Sequence, residues 1–402
     1  DIRGTKGAGL AGRRIVLSIT GSVAAIRCPE LARELMRHAA DVRTVMTESA
    51  TRLITPQLMH WATGNPVVTS LTGGLEHVEL ASWADLVLVA PATANTLSKV
   101  ACAIDDTPVT SVVSAALGLG KPVAMVPAMH ASMYSHKLLQ ENLSRLKSAG
   151  VHILEPRLEE GKAKLPSVAE IVDFVLGLLA PKDMVGLRVL VTAGSTVEHI
   201  DPIKFITNRS SGKMGVAIAR AAANRGAEVT LVYGGGTEKP PSNVRVIRVQ
   251  TTTEMREAVR RELERHYDIV ASAAAAQDFM VERPAQHKIR HLEPVEIRLI
   301  PAPRVIDDVR QLAPKAFIVG FKAEYRVTDQ ELLEAAREKL MQNQLDMVVA
   351  NDVSRPGAGF GEETNEVIIV TPSGHKKMTC SKLEIANYIL DSALAKLRGS
   401  AR

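Results

Sequence analysis

Short apolar runs alternate with amphipathic stretches along nearly the whole chain, and that rhythm begins twice. In the first half, residues 14–20, 42–46, 86–90 and 122–126 read as buried strands, and residues 24–38 as a helix. Continuous apolar strands separated by helical patterns point to β-α-β units that cover a parallel sheet on both faces. The rhythm restarts at residues 188–192 and continues through 228–232, 268–272, 317–320 and 346–350. Residues 366–370 and 375–378, separated by Pro372-Ser-Gly374, read as a closing β-hairpin. The restart follows Leu179-Ala-Pro-Lys-Asp-Met-Val-Gly186, which places a boundary near residue 183. The expected fold class is therefore α/β, with two doubly wound parallel-sheet domains at residues 1–182 and 183–402. The halves share a rhythm but no motif, so they are not a repeat.

Composition narrows the function classes. Aromatic residues make up only 3% of the chain, so the cores must be filled mainly by Ala, Val, Leu and Ile. The formal charge of +5 suits small anionic substrates. No dense Lys/Arg block or aromatic-interleaved basic patch points to nucleic acid. No apolar run approaches the ~18 residues of a membrane span, and no signal-peptide pattern opens the chain, so no membrane partner is expected. Cys28, Cys102 and Cys380 are odd in number and widely spaced, which argues against a disulfide framework or a zinc site and for a cytoplasmic home. The chain opens on Asp1 and not Met, so the natural start is expected upstream.

The candidate sites stand where strands end. Gly7-Ala-Gly9-Leu-Ala-Gly12 spells a dinucleotide pattern but precedes a strand instead of following one, and is expected to be a flexible leader. Thr20-Gly21-Ser22-Val23-Ala24 follows the first strand, where a Gly/Ser turn can cradle a phosphate or Ser22 can simply cap a helix. Thr47 and Ser49 offer hydroxyls to the same phosphate. Pro91-Ala92-Thr93-Ala94-Asn95-Thr96 follows another buried strand. Its small residues admit a flat ring, and Thr93 and Asn95 can bond its polar edge, unless Asn95 and Thr96 only cap the next helix.

In the second half, Ser195-Thr-Val-Glu-His-Ile-Asp201 opens a polar loop that runs to Gly215 between a strand and a helix. That loop is far longer than the usual ~2–6 residues. Free N–H groups and the helix dipole make such a start an anion site, with Asn208, Ser210, Ser211, Gly212 and Lys213 as candidates. It is not a Walker loop, because the glycine and the Ser/Thr after Gly-Lys are absent. In Ala273-Ala274-Ala-Ala-Gln-Asp278 the small side chains allow a nucleotide close, and Asp278 can accept from its base or ribose or meet a metal.

Several of these stretches carry a resemblance. His77-Val-Glu-Leu, Pro91-Ala-Thr-Ala-Asn95-Thr96 and Pro127-Ala-Met-His130-Ala-Ser-Met-Tyr134 resemble the flavin-dependent cysteine decarboxylases. The 195–215 loop, Ala273 to Asp278 and Ala350-Asn-Asp352 resemble phosphopantothenate–cysteine ligase. Both in this order resemble the bifunctional coenzyme A biosynthesis enzymes, over nearly the whole chain.

The resemblance implies a flavodoxin-like FMN-binding decarboxylase domain followed by a Rossmann-like ligase domain. Gly21, Ser22, Val23, Thr47 and Ser49 would hold the FMN phosphate, and Pro91 to Thr96 the ring. His77, a residue type that exchanges protons near neutrality, would be the decarboxylase's proton exchanger, with Asn95 and His130 positioning ring or substrate. The implied chemistry is oxidation of the CH₂–SH group to a thioaldehyde, loss of carbon dioxide, and reduction of the enethiolate by the flavin.

In the ligase, Lys288 would stabilise the activated acyl intermediate and contact the nucleotide, and Asn208 would be catalytic as well as nucleotide-binding. Phe321 would abut the base, Lys339 would hold phosphate, and Asp278 would meet Mg²⁺. The partners would be 4′-phosphopantothenate, L-cysteine and either CTP or ATP. A homo-oligomer is implied, with trimer contacts in the first domain and dimer contacts in the second.

The chain also departs from the family pattern. His130 replaces an Asn and Tyr134 a Trp; Asn343 stands at a second lysine position and Arg304 at an acidic one. The segment 155–166, where relatives carry a flap cysteine, has none, which leaves Glu160, Lys162, Lys164 or water as the final proton source. Two competing readings are a single-activity flavoprotein decarboxylase and a flavin-binding regulatory subunit, each with a degenerate second domain.

Overall fold

The continuous apolar runs of the first half become the centre of a parallel sheet. In the computed structural model, which describes residues 2–290, 294–355 and 364–399, the chain divides into two units between Ala180 and Pro181. The first unit holds β1 (Arg14–Ile19), β2 (Asp41–Met46), β3 (Val67–Val68), β4 (Leu86–Ala92), β5 (Val123–Pro127) and β6 (His152–Ile153). They lie in the order β3-β2-β1-β4-β5-β6, all parallel. With the two-residue β3 set aside, the five other strands follow the flavodoxin-like order, which reverses direction between β1 and β4 and opens a crevice at their carboxyl ends. All seven residues of β4 are buried, as a strand covered on both faces requires.

Two expectations are corrected here. The single helix over 24–38 is a 3₁₀ turn, Val23–Arg27, followed by the α-helix Cys28–Arg37. Pro29 explains the break: its ring would meet the carbonyl four residues earlier in a continuous α-helix. The glycine-rich leader is not loose. Gly4, Lys6 and Leu10 donate their N–H groups to the carbonyls of Met36, Arg37 and His38 at 3.1, 2.9 and 2.8 Å, and Leu10 is fully buried. The orphan carbonyls at that helix C-terminus need donors, and the leader supplies them.

The second unit holds β7 (Arg188–Ala193), β8 (Glu228–Tyr233), β9 (Arg245–Arg248), β10 (Ile269–Ser272), β11 (Phe317–Glu324), β12 (Met347–Asp352), β13 (Thr364–Thr371) and β14 (Gly374–Ser381). Their order is β9-β8-β7-β10-β11-β12-β13-β14. The first six are parallel in the Rossmann order, and β13 and β14 add the expected antiparallel hairpin. Helices Lys213–Asn224 and Lys382–Gly399 cover one face, and helices Thr252–Leu263 and Asp329–Gln342 the other. Gly215 sets the first of these helices tight on β7. A Cβ there would stand 2.9 Å from the Thr192 carbonyl oxygen and 3.1 Å from the Ala193 Cα.

Candidate functional site

Each sheet carries a cavity at its carboxyl edge. In the first unit a cavity of about 540 Å³ is walled by Gly21, Ser22, Thr47, Ser49, Thr93, Ala94, Asn95 and Thr96. Backbone chemistry brings these turns together. The buried Thr20 donates its Oγ1–H to the Pro91 carbonyl at 2.6 Å and accepts from Thr93 N–H at 3.1 Å, which ties the end of β1 to the end of β4. Ser22 accepts from Ala24 N–H at 3.4 Å, so it also caps the 3₁₀ turn. Thr47 and Ser49 hydroxyls meet at 3.0 Å. Gly21 must be glycine, because a Cβ would lie 2.6 Å from the Ser49 Cβ. Thr93, not Asn95 or Thr96, caps helix Ala94–Ala101, accepting from Thr96 N–H at 3.3 Å. Asn95 stays exposed on the wall.

Some candidates are not part of this wall. Val23 is 78% exposed beyond it, and Pro91 and Ala92 are buried within β4, behind the turn that lines the cavity. His77 lies on helix Glu76–Trp83, and its Nδ1 is buried without a hydrogen-bond partner among the described residues. His130 is exposed and caps a short helix, its Nδ1 accepting from Ser132 N–H at 3.3 Å. It pairs in register with Lys162, on a ribbon where Lys164 meets Glu160 at 2.6 Å. Tyr134 donates to Glu155, and its hydroxyl is pushed above the ordinary tyrosine range by burial and then by that carboxylate. The wall also includes Lys99, Thr107 and Met133. Of these, only Thr107 had a sequence signal, since Thr-Pro reads as a capped helix start at a strand-to-helix crossing.

The second unit's cavity is about 690 Å³ and gathers Asn208, Ser210, Ser211, Gly212, Lys213, Ala274, Asp278, Phe321 and Lys339. Asn208 donates its amide to the carbonyls of Ala275 and Ala276 at 3.2 and 3.1 Å, pinning the loop after β7 to the loop after β10. Ala274 N–H is held by Thr192 Oγ1 at 3.2 Å. Ser210 and Ser211 hydroxyls accept from the N–H groups of Gly212 and Lys213 at 3.3 and 3.4 Å, at the start of helix Lys213–Asn224.

Across the cavity, Lys339 donates to the Phe321 carbonyl at 2.6 Å. Burial, then the Lys322 and Arg304 cations, push its ammonium down to about 8. Lys322 and Arg304 line the same wall. Lys288 does not: it is exposed on a segment whose Ile289 N–H is held at 3.0 Å by the buried Asp201 carboxylate. Asp278 is the cavity's candidate metal contact, and no cluster of three or more His, Cys, Asp or Glu side chains that could hold a metal ion occurs among the described residues. A single carboxylate fits a Mg²⁺ ion that keeps several waters and takes its other ligands from a bound triphosphate. Among the described residues, Cys28, Cys102 and Cys380 are free, and no helix is long and apolar enough to cross a membrane.

Residues 5–180 match the family described as Flavoprotein, and residues 184–397 the DNA/pantothenate metabolism flavoprotein C-terminal domain. The chain is 51% identical over 397 residues to the coenzyme A biosynthesis bifunctional protein CoaBC of Thermococcus kodakarensis, with 97% of each chain covered. It is 36% identical over 393 residues to the CoaBC protein of Methanocaldococcus jannaschii, covering 97% of this chain and 95% of that one. The CoaBC protein of Escherichia coli is 36% identical over 398 residues, with 95% and 96% covered. With both domains present in one chain and a match of this extent, the chain belongs to the CoaBC family of bifunctional coenzyme A biosynthesis enzymes.

Proposed function

We propose that the second unit joins 4′-phosphopantothenate to L-cysteine through a nucleotidyl anhydride, and that the first unit, holding FMN, decarboxylates the product to 4′-phosphopantetheine. The observation that carries this reading is one cavity at the carboxyl edge of each sheet, in a chain that matches both domain families. The ligase product is the decarboxylase substrate, so the two activities are consecutive.

In the first cavity the residues present fit a flavin mononucleotide. Ser22, Thr47 and Ser49 surround a place for the phosphate, and Ala94 and Thr93 leave room for a flat ring. When bound, FMN supplies the two-electron redox chemistry that an acylated cysteine needs before it can lose carbon dioxide. Asn95 bonds the polar edge of the ring or substrate, and His130 presents its Nε2–H to the substrate carboxylate. His77 exchanges the proton. Its Nδ1, buried without a partner among the described residues, supports a group waiting for one.

In the second cavity the N–H groups of the 212–213 turn and Lys213 take phosphate, the two serine hydroxyls turning to donate to it. Lys339, Lys322 and Arg304 take the remaining triphosphate charge, and Mg²⁺ with Asp278 offsets the rest. Lys288 stabilises the negative charge that develops at the acyl group. CTP and ATP both fit the cationic wall.

His77, His130 and Lys288 stand outside the cavity walls of their own chain. A homo-oligomer, three copies at the flavin sites and two at the ligase sites, accounts for that. Apolar exposure of Val23 at 78% and Ile26 at 69% beside the first cavity supports such contacts. A cytoplasmic setting agrees with the free thiols.

The test is a coupled assay of FMN-loaded protein with 4′-phosphopantothenate, L-cysteine, Mg²⁺ and CTP or ATP, followed by mass spectrometry. Both the acylated cysteine and 4′-phosphopantetheine are expected. Acylated cysteine alone would mean that a ribbon without cysteine and an exposed His130 leave the first unit inactive. Neither product would sink the reading.

A further inference from the structure

The ligase cavity straddles the sheet edge, because β10 stops at Ser272 while its neighbour β11 runs on to Glu324. Alternation along β11 then sorts its walls. Lys322 falls on the face of helix Asp329–Gln342, beside Lys339, and makes a cationic wall. Phe321 falls on the face of helices Lys213–Asn224 and Lys382–Gly399. That second wall continues through Asn351, Asn365 and Lys382, none of which the nucleotide reading uses.

Asn365 is 7% exposed, and its Oδ1 has no hydrogen-bond partner among the described residues. Leaving a buried acceptor unpaired costs ~1–3 kcal/mol, so an acceptor on a cavity wall marks where a ligand donor arrives. Register sets Asn365 opposite Cys380, and Lys382, also 7% exposed, follows two residues later. An amide acceptor and a buried ammonium thus stand at one end of one hairpin, on one cavity. A nucleobase offers a donor for the acceptor and no anion beside it. An α-amino acid offers both, on adjacent atoms.

We propose that Asn365 and Lys382 form the L-cysteine subsite of the ligase, Asn365 accepting from the α-amine and Lys382 holding the α-carboxylate. This rests on the ligase reading above. In the step served, the amine nitrogen attacks the acyl carbon and the C–N bond forms. The C–O bond to phosphate breaks, the nucleoside monophosphate leaves with the electron pair, and the nitrogen's proton passes to water. An amide suits that step better than a carboxylate. Asp at this position would hold the amine as an ammonium, without the lone pair that attacks.

The experiment separates the two half-reactions of the full-length holoenzyme. Pyrophosphate release is followed with 4′-phosphopantothenate and nucleotide in the absence of cysteine, and amide formation is followed with cysteine or cysteamine, which lacks the carboxylate. Asn365→Leu is expected to raise KM for cysteine roughly 3- to 10-fold, as for a lost neutral hydrogen bond, with the effect absent from pyrophosphate release. Lys382→Met is expected to erase the preference for cysteine over cysteamine. Asn365→Asp, which keeps the volume, is expected to bind cysteine but move the pH profile of amide formation upward. An unchanged cysteine KM in Asn365→Leu, or a raised nucleotide KM instead, overturns the proposal. Absence of pyrophosphate release in the unaltered enzyme would show that the ligase reading itself had failed.

Discussion

Lys339 shows how a single side chain can be costly to the fold and useful to the site. Its ammonium is held at about 8, against an ordinary value of 10.5, chiefly by burial and then by the Lys322 and Arg304 charges. A lysine whose folded pKa is depressed takes up its proton more readily in the unfolded chain. Stability therefore falls as pH drops from 10.5 toward 8 and stays lowered below that. Lys339→Met is expected to raise the stability of the ligand-free second unit by roughly 1–2 kcal/mol at pH 7 after allowance for solvent screening. Denaturant titrations should show the gain vanish near pH 10.5. The same variant should bind nucleotide triphosphate more weakly, and wild-type affinity should itself weaken as pH rises through about 8. Calorimetry over that range checks both. Gly21 makes a different residue-scale point. With the Ser49 Cβ 2.6 Å from where its own Cβ would be, Gly21→Ala must push the Thr47–Ser49 turn out of the first cavity. Overpacking of this kind costs ~1–3 kcal/mol, so flavin content after purification should fall roughly tenfold or more.

At the scale of elements, the loop after β7 departs most from what strand-and-helix rhythm describes. It folds into a ribbon, Val197–His199 with Phe205–Thr207, and then a turn organised by Asp201. That buried carboxylate accepts from Ile203 N–H and Lys204 N–H, both at 2.7 Å, from Lys204 Nζ at 2.8 Å and from Ile289 N–H at 3.0 Å. These donors, the lysine first, hold its carboxyl well below the usual aspartate range. A depressed carboxyl contributes stability above its ordinary value of 3.8, lost only as pH falls through the lower folded value. Asp201→Asn is expected to destabilise the second unit at neutral pH, with the gap to wild type closing only in strong acid. It should also slow ligation, because the segment that carries Lys288 loses its anchor; paired melting curves and ligase rates check this. The polar letters of this loop announced an anion site, and Ser210 to Lys213 do stand at a helix start on a cavity. They did not announce the ribbon or the Asp201 turn, because three-residue strands carry too few alternations to read. The leader departs from expectation for a related reason: glycines signal freedom, whereas here the positive φ of Gly4, Gly7 and Gly12 lets the segment turn against a helix end.

For the molecule as a whole, the two units follow different strand orders and bury separate cores. Cutting between Ala180 and Pro181 is expected to give a first piece that binds FMN and a second that ligates. Flavin absorbance of the one and pyrophosphate release by the other test this, and loss of either activity on cutting would mean that the covalent link matters to folding or assembly. Strand positions, the place of the second start and the turns at strand ends were legible in residues 14–20, 86–96 and 188–215. Burial on both faces writes itself as unbroken apolar runs, and turn chemistry is local in sequence. The chemistry of the turns at residues 20–24 and 47–49 points to one shared phosphate, but which residues meet is not legible. Gly21 meets Ser49, Asn208 meets Ala275, and Lys339 meets Phe321 through strand order and helix packing. Asn365 and Lys382 carry no local signal at all, and join the ligase wall only because an antiparallel hairpin extends the sheet beyond its parallel part. The sequence by itself determined the two sheets and the kind of chemistry at their ends, since both follow from local patterns of polarity. Only the tertiary structure decided which side chains face one ligand, because that depends on contacts between residues far apart in the chain.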